Sequence, residues 1–452
     1  MKAIIICNDY EKKMFPFDRK YQISNLPVLN KEIIKIQIEQ LLDLGVQEHD
    51  IFIKLQYKEN QTINVLKEYK QLNFIKSSQK LNDFLKENIS HFEGKTILIN
   101  SNSLVTLFDL KRLVTHSHET SVLLTTKKKP SIEIIGAYVN KENHVDFFLA
   151  HARDHYVNAQ VSGVYMLNQD ALYSIALSDV GFKQRISGSM IPDILFIENA
   201  LNDYIEAGNI VSAIFNEKQV FYIEFPWDIL NINEYYLREE SKKITETRLE
   251  ENATISDTAI INGRVSLGKN SMIGANVVIN GTVILGDNVT IETGAILNGP
   301  ILVGDNTYIR DYAKVEENTV LGSDNKIGHN AEIKGVTFKG VSAIHYSEMY
   351  GVIGQYVDIA AACVCGILRF NDTPQTHKVD GRIYSDKNSN AVFIGDYTRT
   401  GINNVFFPGV KVGSECALYP GLNIENDISH ETLVIKKEEH IEKEWGNKKY
   451  GW

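Results

Sequence analysis

The sequence predicts an α/β domain followed by a left-handed parallel β-helix. In the N-terminal half, short apolar segments of strand length alternate with amphipathic helical segments, which is typical of a largely parallel sheet covered by helices. In the C-terminal half, an aliphatic residue recurs at every sixth position. A period of six fits neither an α-helix nor a single strand. It matches a hexapeptide coil, in which each side turns one aliphatic residue inward.

The six-residue repeat runs unbroken from Ile255 to Ile333. Glycine often follows the inward residue directly, because the corner of a coil needs unusual backbone angles. The predicted inward positions are Ile255, Ile261, Leu267, Ile273, Ile279, Leu285, Ile291, Leu297, Val303, Ile309, Val315, Leu321, Ile327 and Ile333.

A polar stretch interrupts the repeat near its end. The register weakens after Ile333, returns at Ile353 and Ile359, and then stops over residues 366–390. The coil resumes at Ile394, Thr400, Phe406, Val412, Leu418 and Ile424. A loop of this length is usually functional, so we expect residues 366–390 to cover a site.

The N-terminal half supplies the elements of an α/β domain. A helix is predicted over 31–44, ended by Gly45. Strands are predicted over 3–7, 51–55, 96–100, 122–126, 132–139 and 160–167. The predicted organisation is an α/β domain at 1–230, a helical connector at 231–251, a β-helix at 252–430 with the 366–390 insertion, and a tail at 431–452. Within that tail, residues 438–445 are predicted to form a short helix.

Composition excludes several classes of protein. The 452 residues carry 47 Lys and Arg against 57 Asp and Glu, a net charge of −10 without a basic block, so a nucleic-acid partner is not expected. The N-terminus resembles no signal peptide and no segment is apolar enough to cross a membrane, which predicts a cytoplasmic protein. The four cysteines lack paired spacing and are interpreted as reduced core thiols.

Several motifs resemble those of a known family across nearly the whole chain. They are Leu26-Pro27-Val28, Ser162-Gly163-Val164-Tyr165, Phe225-Pro226-Trp227-Asp228, Ile367-Leu368-Arg369-Phe370-Asn371, Thr398-Arg399-Thr400-Gly401-Ile402-Asn403 and Pro408-Gly409-Val410-Lys411. They resemble the bifunctional sugar-1-phosphate nucleotidyltransferase/hexapeptide acyltransferases, typified by N-acetylglucosamine-1-phosphate uridylyltransferase/glucosamine-1-phosphate acetyltransferase. The resemblance implies a Rossmann-like nucleotidyltransferase domain before the coil.

The nucleotidyltransferase motifs are degenerate. Where the family has a glycine-rich phosphate-binding turn, this chain has Asp9 and Glu11, whose charges repel phosphate. One metal-binding aspartate of the family aligns with Asn102, and the second falls near Tyr222 or Glu224. The family's lysine before the Leu-Pro-Val segment aligns near Ile23, and Lys20 or Arg19 could substitute for it if the loop shifts. We therefore expect no nucleotidyl transfer, no metal site and no use of Mg²⁺.

The same domain could still bind a ligand without turning it over. Arg19, Lys20, Asn102 and Asp109 are candidates to line a crevice at the strand ends, where open parallel sheets bind ligands. A sugar or a nucleotide fits that position.

The acyltransferase half retains candidates for each role that the resemblance implies. Such enzymes work as trimers and use a histidine as general base. His345 lies within about one residue of where that base aligns, and His377 in the long loop is a second candidate. Arg369 and Asn371 are candidates for acceptor binding. Arg399, Lys411 and Lys436 are candidates for the phosphates of acyl-CoA, with acetyl-CoA the expected cosubstrate.

Two classes of function therefore remain open. The first is an acyl-CoA-dependent transferase that acts on a sugar phosphate or a related small acceptor as a homotrimer. The second is a non-catalytic relative that binds a sugar nucleotide and regulates or scaffolds a partner. A nucleotidyltransferase with a relocated active site is a further alternative.

Overall fold

The structure is a computed structural model that describes residues 1–452 except 8–10, 57, 117–119, 127–134, 151–154, 180–194, 380, 438–441 and 444–452, and except the side chains of residues 11 and 12. The chain divides into two compact units, Met1–Ile232 and Asn233–Trp452. The first is an α/β unit and the second a parallel β-helix, so the predicted fold class is confirmed.

The first unit is a sheet buried on both faces. Its strands are β1 (Lys2–Ile6), β2 (Pro27–Val28), β3 (Lys31–Glu32), β4 (Ile51–Lys54), β5 (Asn73–Ile75), β6 (Thr96–Asn100), β7 (Ser103–Leu104), β8 (Ser121–Thr126), β9 (Gly136–Val139), β10 (Val145–Leu149), β11 (Ala159–Leu167), β12 (Ser212–Phe215) and β13 (Phe221–Tyr222). The α-helices are α1 (Ile33–Asp43), α2 (Glu59–Val65), α3 (Leu81–Asn88), α4 (Leu107–Thr115), α5 (Gln169–Leu177), α6 (Ile197–Glu206) and the start of α7 (Pro226–Lys243).

Successive side chains of β1 point to opposite faces of the sheet, which explains why the sheet has a separate core on each face. Ala3 and Ile5 pack in one core with α1 and α4, while Ile4 packs in the other core with α3, α5 and α6. Strands buried on both sides suit a sheet with helices on both faces. β1 is parallel to β4 and β6, and β11 closes the parallel part as an antiparallel neighbour of β6. Register pairs Ile6 with Asn100, so the carboxyl ends of β1 and β6 lie side by side.

Several predicted boundaries shift. The 31–44 helix begins at Ile33, because Lys31 and Glu32 pair with Pro27 and Val28 in a short hairpin. Of the predicted 132–139 strand, Gly136–Val139 is a strand, and 132–134 lie outside the described residues. The connector helix is α7, which begins five residues before 231 and ends at Lys243; the strand Arg248–Leu249 follows it.

The second unit buries the predicted inward series. From Leu267 to Ile333 every predicted inward residue is at most 3% exposed, and all of them belong to one continuous core. Its strands are β14 (Arg248–Leu249), β15 (Thr254–Ile255), β16 (Ile260–Leu267), β17 (Met272–Ile273), β18 (Val278–Leu285), β19 (Thr290–Ile291), β20 (Ile296–Asn298), β21 (Ile301–Val303), β22 (Tyr308–Ile309), β23 (Lys314–Val315), β24 (Thr319–Leu321), β25 (Lys326–His329), β26 (Glu332–Thr337), β27 (Ser342–His345), β28 (Glu348–Ile353), β29 (Asp358–Ile359), β30 (Val364–Cys365), β31 (His377–Val379), β32 (Arg382–Tyr384), β33 (Val392–Ile394), β34 (Arg399–Thr400), β35 (Val405–Phe406), β36 (Lys411–Val412), β37 (Ala417–Leu418), β38 (Asn423–Ile424) and β39 (Leu433–Val434).

The weakened repeat after Ile333 has a structural cause. Ile309 pairs with Ile327, 18 residues on, whereas Ile327 pairs with Ala343, 16 residues on. The next coil is equally short, since Ala343 pairs with Ile359. Two shortened coils therefore shift the hexad count without interrupting the stack.

The insertion is not a structureless loop. Within 366–390, β31 and β32 form an antiparallel hairpin in which His377 pairs with Tyr384. The coil is rejoined at Val392, which pairs with Gly351. The helix predicted at 438–445 lies outside the described residues except for 442 and 443, which are not helical.

Candidate functional site

His345 ends strand β27, and its side chain is exposed. Ala343 points into the core of the coil, whereas His345, at the end of the same strand, is exposed. His329 ends strand β25 and pairs in register with His345. Two histidines therefore lie side by side on successive coils.

The two imidazole rings are in contact. Their centroids lie 5.2 Å apart and their planes cross at 76°, so the edge of one ring meets the face of the other. Among the described residues, the His345 ring makes no hydrogen bond and no ion pair. The residue is exposed, and a general base needs ring nitrogens that are not already engaged by the protein.

The residue after His345 has an unusual backbone. Tyr346 has φ of +23°, in a region that bulky residues rarely adopt. Its amide donates to the His329 carbonyl oxygen at 3.0 Å. The corner beside His345 is therefore strained and is held by the neighbouring coil.

Arg369 and Asn371 lie on a groove of about 660 Å³ at the base of the insertion. The groove is lined by Gly366, Leu368, Arg369, Phe370, Asn371, Gln375, Val405, Phe406, Phe407, Pro408 and Glu425. The Arg369 guanidinium donates to Thr373 Oγ1 and to the Pro374 carbonyl oxygen, both at 3.2 Å. Asn371 Oδ1 accepts from Thr373 Oγ1 at 2.9 Å. A mostly apolar cleft with a few polar groups is typical of a ligand site.

His377 is buried rather than solvated in the loop, since its exposed fraction is 6%. Its Nε2 donates to the Ser389 carbonyl oxygen at 2.8 Å, and its Nδ1 accepts from Lys411 Nζ at 2.5 Å. Lys411 also lies 3.6 Å from the Asp427 carboxylate. Both ring nitrogens are engaged, so His377 anchors the insertion to the last coils and is not placed to take a substrate proton.

Lys411 was expected to bind a phosphate, and the structure corrects this. Its side chain is buried between His377 and Asp427. Burial lowers the Lys411 pKa, and the Asp427 carboxylate opposes that shift. Arg399 and Lys436 are both exposed and remain candidates for acyl-CoA phosphates.

Acid should weaken the contacts by which His377 holds the insertion to the last coils. Burial, with the Lys411 charge second, lowers the pKa of His377 from 6.5 to about 4. Between these values the unfolded chain binds a proton that the folded chain does not, so stability is full above pH ~6.5 and falls towards pH 4. We expect the free energy of unfolding to fall by about 3 kcal/mol from this group across that window.

Urea unfolding at pH 7 and pH 4.5 measures this effect, with His377→Gln as the matched control. The amide of glutamine can accept from Lys411 and donate to Ser389, but it does not titrate. Equal acid sensitivity in the wild type and in His377→Gln would contradict the assignment.

Asp109 has a structural role and does not line a ligand crevice. Its side chain is fully buried. Its carboxylate accepts the backbone N–H groups of Glu217 at 2.8 Å and Lys218 at 3.1 Å, and it lies 3.3 Å from Arg112. The carboxylate therefore fixes the loop after β12. Arg19, Lys20 and Asn102 are half-buried.

The described strand ends of the first unit carry two uncharged groups near the positions where the resemblance implies metal-binding carboxylates. Asn102 offers an amide where the resemblance implies a carboxylate. The hydroxyl oxygen of Tyr222 is buried, and burial, with Glu198 and Glu224 nearby, raises the Tyr222 pKa well above its ordinary value. A neutral phenol is a poor ligand for a hard cation. Glu224 lies 3.8 Å from the Lys13 ammonium, with which it forms an ion pair.

No group of three His, Cys, Asp or Glu that could hold a metal ion occurs among the described residues. Asp9 lies outside those residues, as does the side chain of Glu11, so the expected repulsion at the phosphate turn has no structural description. None of the described helices combines the length and the apolar character needed to cross a membrane. All four cysteines are buried, and none of them forms a disulfide.

A buried polar pair joins β11 to α6 in the first unit and was not anticipated. The Tyr165 hydroxyl donates to Glu198 Oε1, and both side chains are buried. Burial raises the pKa of the Glu198 carboxyl, and the hydrogen bond from Tyr165 opposes that rise. Tyr165 belongs to the Ser162-Gly163-Val164-Tyr165 motif, but no sequence signal pointed to Glu198 as its partner.

The chain is a two-part protein with an α/β unit and a hexapeptide coil that carries an exposed histidine. The chain is similar over nearly its full length to curated proteins of that organisation, so the resemblance is confirmed. It is 25% identical to "Bifunctional protein GlmU" of Methanococcus vannielii, over 98% of this chain and 99% of that protein. It is 25% identical to "Bifunctional sugar-1-phosphate nucleotidylyltransferase/acetyltransferase" of Sulfurisphaera tokodaii, over 95% and 98%.

Two further comparisons concern parts of the chain. Residues 244–353 match the family model "GMPPB C-terminal domain". A crystal structure of a putative glucose-1-phosphate thymidylyltransferase from Bacillus anthracis covers 52% of this chain and 94% of its own, at 13% identity and a TM-score of 0.42. The inositol-1-phosphate CTP transferase of T. maritima covers 50% and 90%, at 16% identity and a TM-score of 0.39.

Proposed function

We propose that the β-helix unit is an acyl-CoA-dependent acyltransferase that acts on a sugar phosphate or a related small acceptor. The observation that carries this proposal is the exposed His345 residue at the end of β27, which makes no hydrogen bond or ion pair with its side chain among the described residues. The curated relatives support it, since one of them is named an acetyltransferase. Acetyl-CoA is the proposed donor, and the cytoplasm is the proposed location.

The residues of the coil suit a direct transfer. A nitrogen of His345 takes a proton from the acceptor amine or hydroxyl, and the acceptor atom attacks the thioester carbonyl carbon. The carbon–sulfur bond then breaks, and CoA leaves as a thiolate that is protonated to the thiol. Arg399 and Lys436 are exposed cations for the CoA phosphates. Arg369 and Asn371, on the groove at the base of the insertion, orient the acceptor.

The α/β unit is proposed to bind a sugar or a nucleotide without nucleotidyl transfer. Asn102 and Tyr222 support this view, because neither supplies an anionic metal ligand. Arg19, Lys20 and Asn102 are the candidate ligand contacts, and Asp109 is no longer among them.

A homotrimer is part of the same proposal. Leu368 and Phe370 are 72% and 112% exposed at the groove. Large apolar side chains that cluster at the surface mark interaction sites. Neighbouring copies of the chain would cover them.

Transfer of a radiolabelled acetyl group from acetyl-CoA to a panel of amino sugars and sugar phosphates tests the function. We expect turnover with at least one acceptor, and we expect light scattering on the same preparation to give the mass of three chains. Thermal stabilisation by acyl-CoA grows as RT ln(1 + [L]/Kd) and reports donor binding independently.

The alternatives predict other results. Stabilisation by sugar nucleotides, without stabilisation by acyl-CoA and without transfer, would favour the regulatory or scaffold relative. A monomer at micromolar concentration would remove the support for a site between chains.

A further inference from the structure

His329 is the side-chain neighbour that restrains the His345 ring. The two rings meet edge to face at 5.2 Å, and the two residues are paired in register on parallel strands. No other hydrogen bond, ion pair or ring contact to the His345 side chain is recorded among the described residues. The orientation of an exposed imidazole with two rotatable bonds is otherwise free.

His329 also holds the backbone beside His345. Its carbonyl oxygen accepts the Tyr346 amide at 3.0 Å, and Tyr346 has φ of +23°. A bulky residue keeps such an angle only where its surroundings impose it. His329 thus contacts the His345 ring with its side chain and holds the Tyr346 amide with its main-chain carbonyl oxygen.

The coil that follows His345 makes no hydrogen bond, ion pair or ring contact with its side chain among the described residues. Ala343 pairs with Ile359, and counting two residues on from this pair puts Ala361 at the position that corresponds to His345. A methyl group there cannot replace the planar contact that His329 makes. The restraint on the His345 ring therefore comes from the preceding coil.

We propose that His329 is a positioning residue that holds the His345 imidazole in the orientation from which it takes the acceptor proton. This inference rests on the proposed function. His329 touches neither substrate in this scheme; it acts through His345. Its contribution is geometric, because a reacting group that moves by about 1 Å can lose about 10²-fold in rate.

Two substitutions separate the ring contact from the chemistry of its nitrogens. His329→Ala removes the ring and keeps the main-chain carbonyl, while His329→Phe keeps a flat ring without nitrogens. We expect His329→Ala to lower kcat by about tenfold or more with KM for acyl-CoA within about twofold, and His329→Phe to restore most of the rate. His91→Ala, an exposed histidine in the other unit, is the matched control and should leave kcat unchanged.

A crystal structure of each variant gives a readout that does not depend on activity. We expect His345 to keep its rotamer in His329→Phe and to adopt a new or mixed rotamer in His329→Ala. A normal kcat in His329→Ala, an unmoved His345 ring, or a His329→Phe variant as slow as His329→Ala would each overturn the proposal. If instead the wild type shows no acyl transfer, the proposed function fails, and the ring orientation alone decides the role of His329.

Discussion

Replacing His345 with alanine should lower kcat at least 100-fold, because a general base typically contributes 10²–10⁴-fold in rate. The ring is exposed and makes no recorded hydrogen bond within the described structure, so its removal costs the fold little. We expect the thermal unfolding temperature and the Kd for acyl-CoA to stay nearly unchanged. Steady-state kinetics with the acceptor found in the transfer assay measure the effect.

His377→Ala is the instructive comparison for that experiment. His377 binds Ser389 and Lys411 in the interior, so its loss should lower stability first and activity less than the loss of His345. A His345→Ala enzyme with normal kcat would show that the base assignment is wrong. A larger loss of kcat in His377→Ala at unchanged stability would move the base into the insertion.

The coil was predictable because its inward positions depend on local periodicity. Every predicted position from Leu267 to Ile333 is buried, as the hexad required. The two 16-residue coils were not predictable from a fixed step of six, and they hide the pairing of His329 with His345. Counting two residues on from the paired inward residues Ile327 and Ala343 would have found it.

The burial of polar residues of the candidate site was harder to predict from the sequence. His377 and Lys411 are 34 residues apart in sequence and meet because the hairpin of the insertion packs against the last coils. A polar composition predicts a surface loop, but it does not show that the hairpin of this loop packs back against the last coils. Asp109 was different, since Thr106 three residues before it forms a helix-capping pattern that favours a structural role.

The full chain should catalyse no Mg²⁺-dependent exchange of pyrophosphate between a nucleoside triphosphate and a sugar 1-phosphate. Nucleotidyl transfer needs a cation to neutralise charge on the transferring phosphate, a contribution of several kcal/mol. The strand ends offer the amide of Asn102 and the neutral phenol of Tyr222 in place of carboxylates. Radiolabelled pyrophosphate exchange is the measurement, and we expect no signal above the enzyme-free rate.

Glu224 supplies the decisive control. It is a carboxylate close to the position where the resemblance implies the second metal ligand, and it forms an ion pair with Lys13 at 3.8 Å. Asp109→Ala is unsuitable as a probe because it would leave the amides of Glu217 and Lys218 without their acceptor and disturb the fold. Robust exchange by the wild type that disappears in Glu224→Gln, with the thermal unfolding temperature unchanged, would instead establish a relocated metal site at this edge of the sheet.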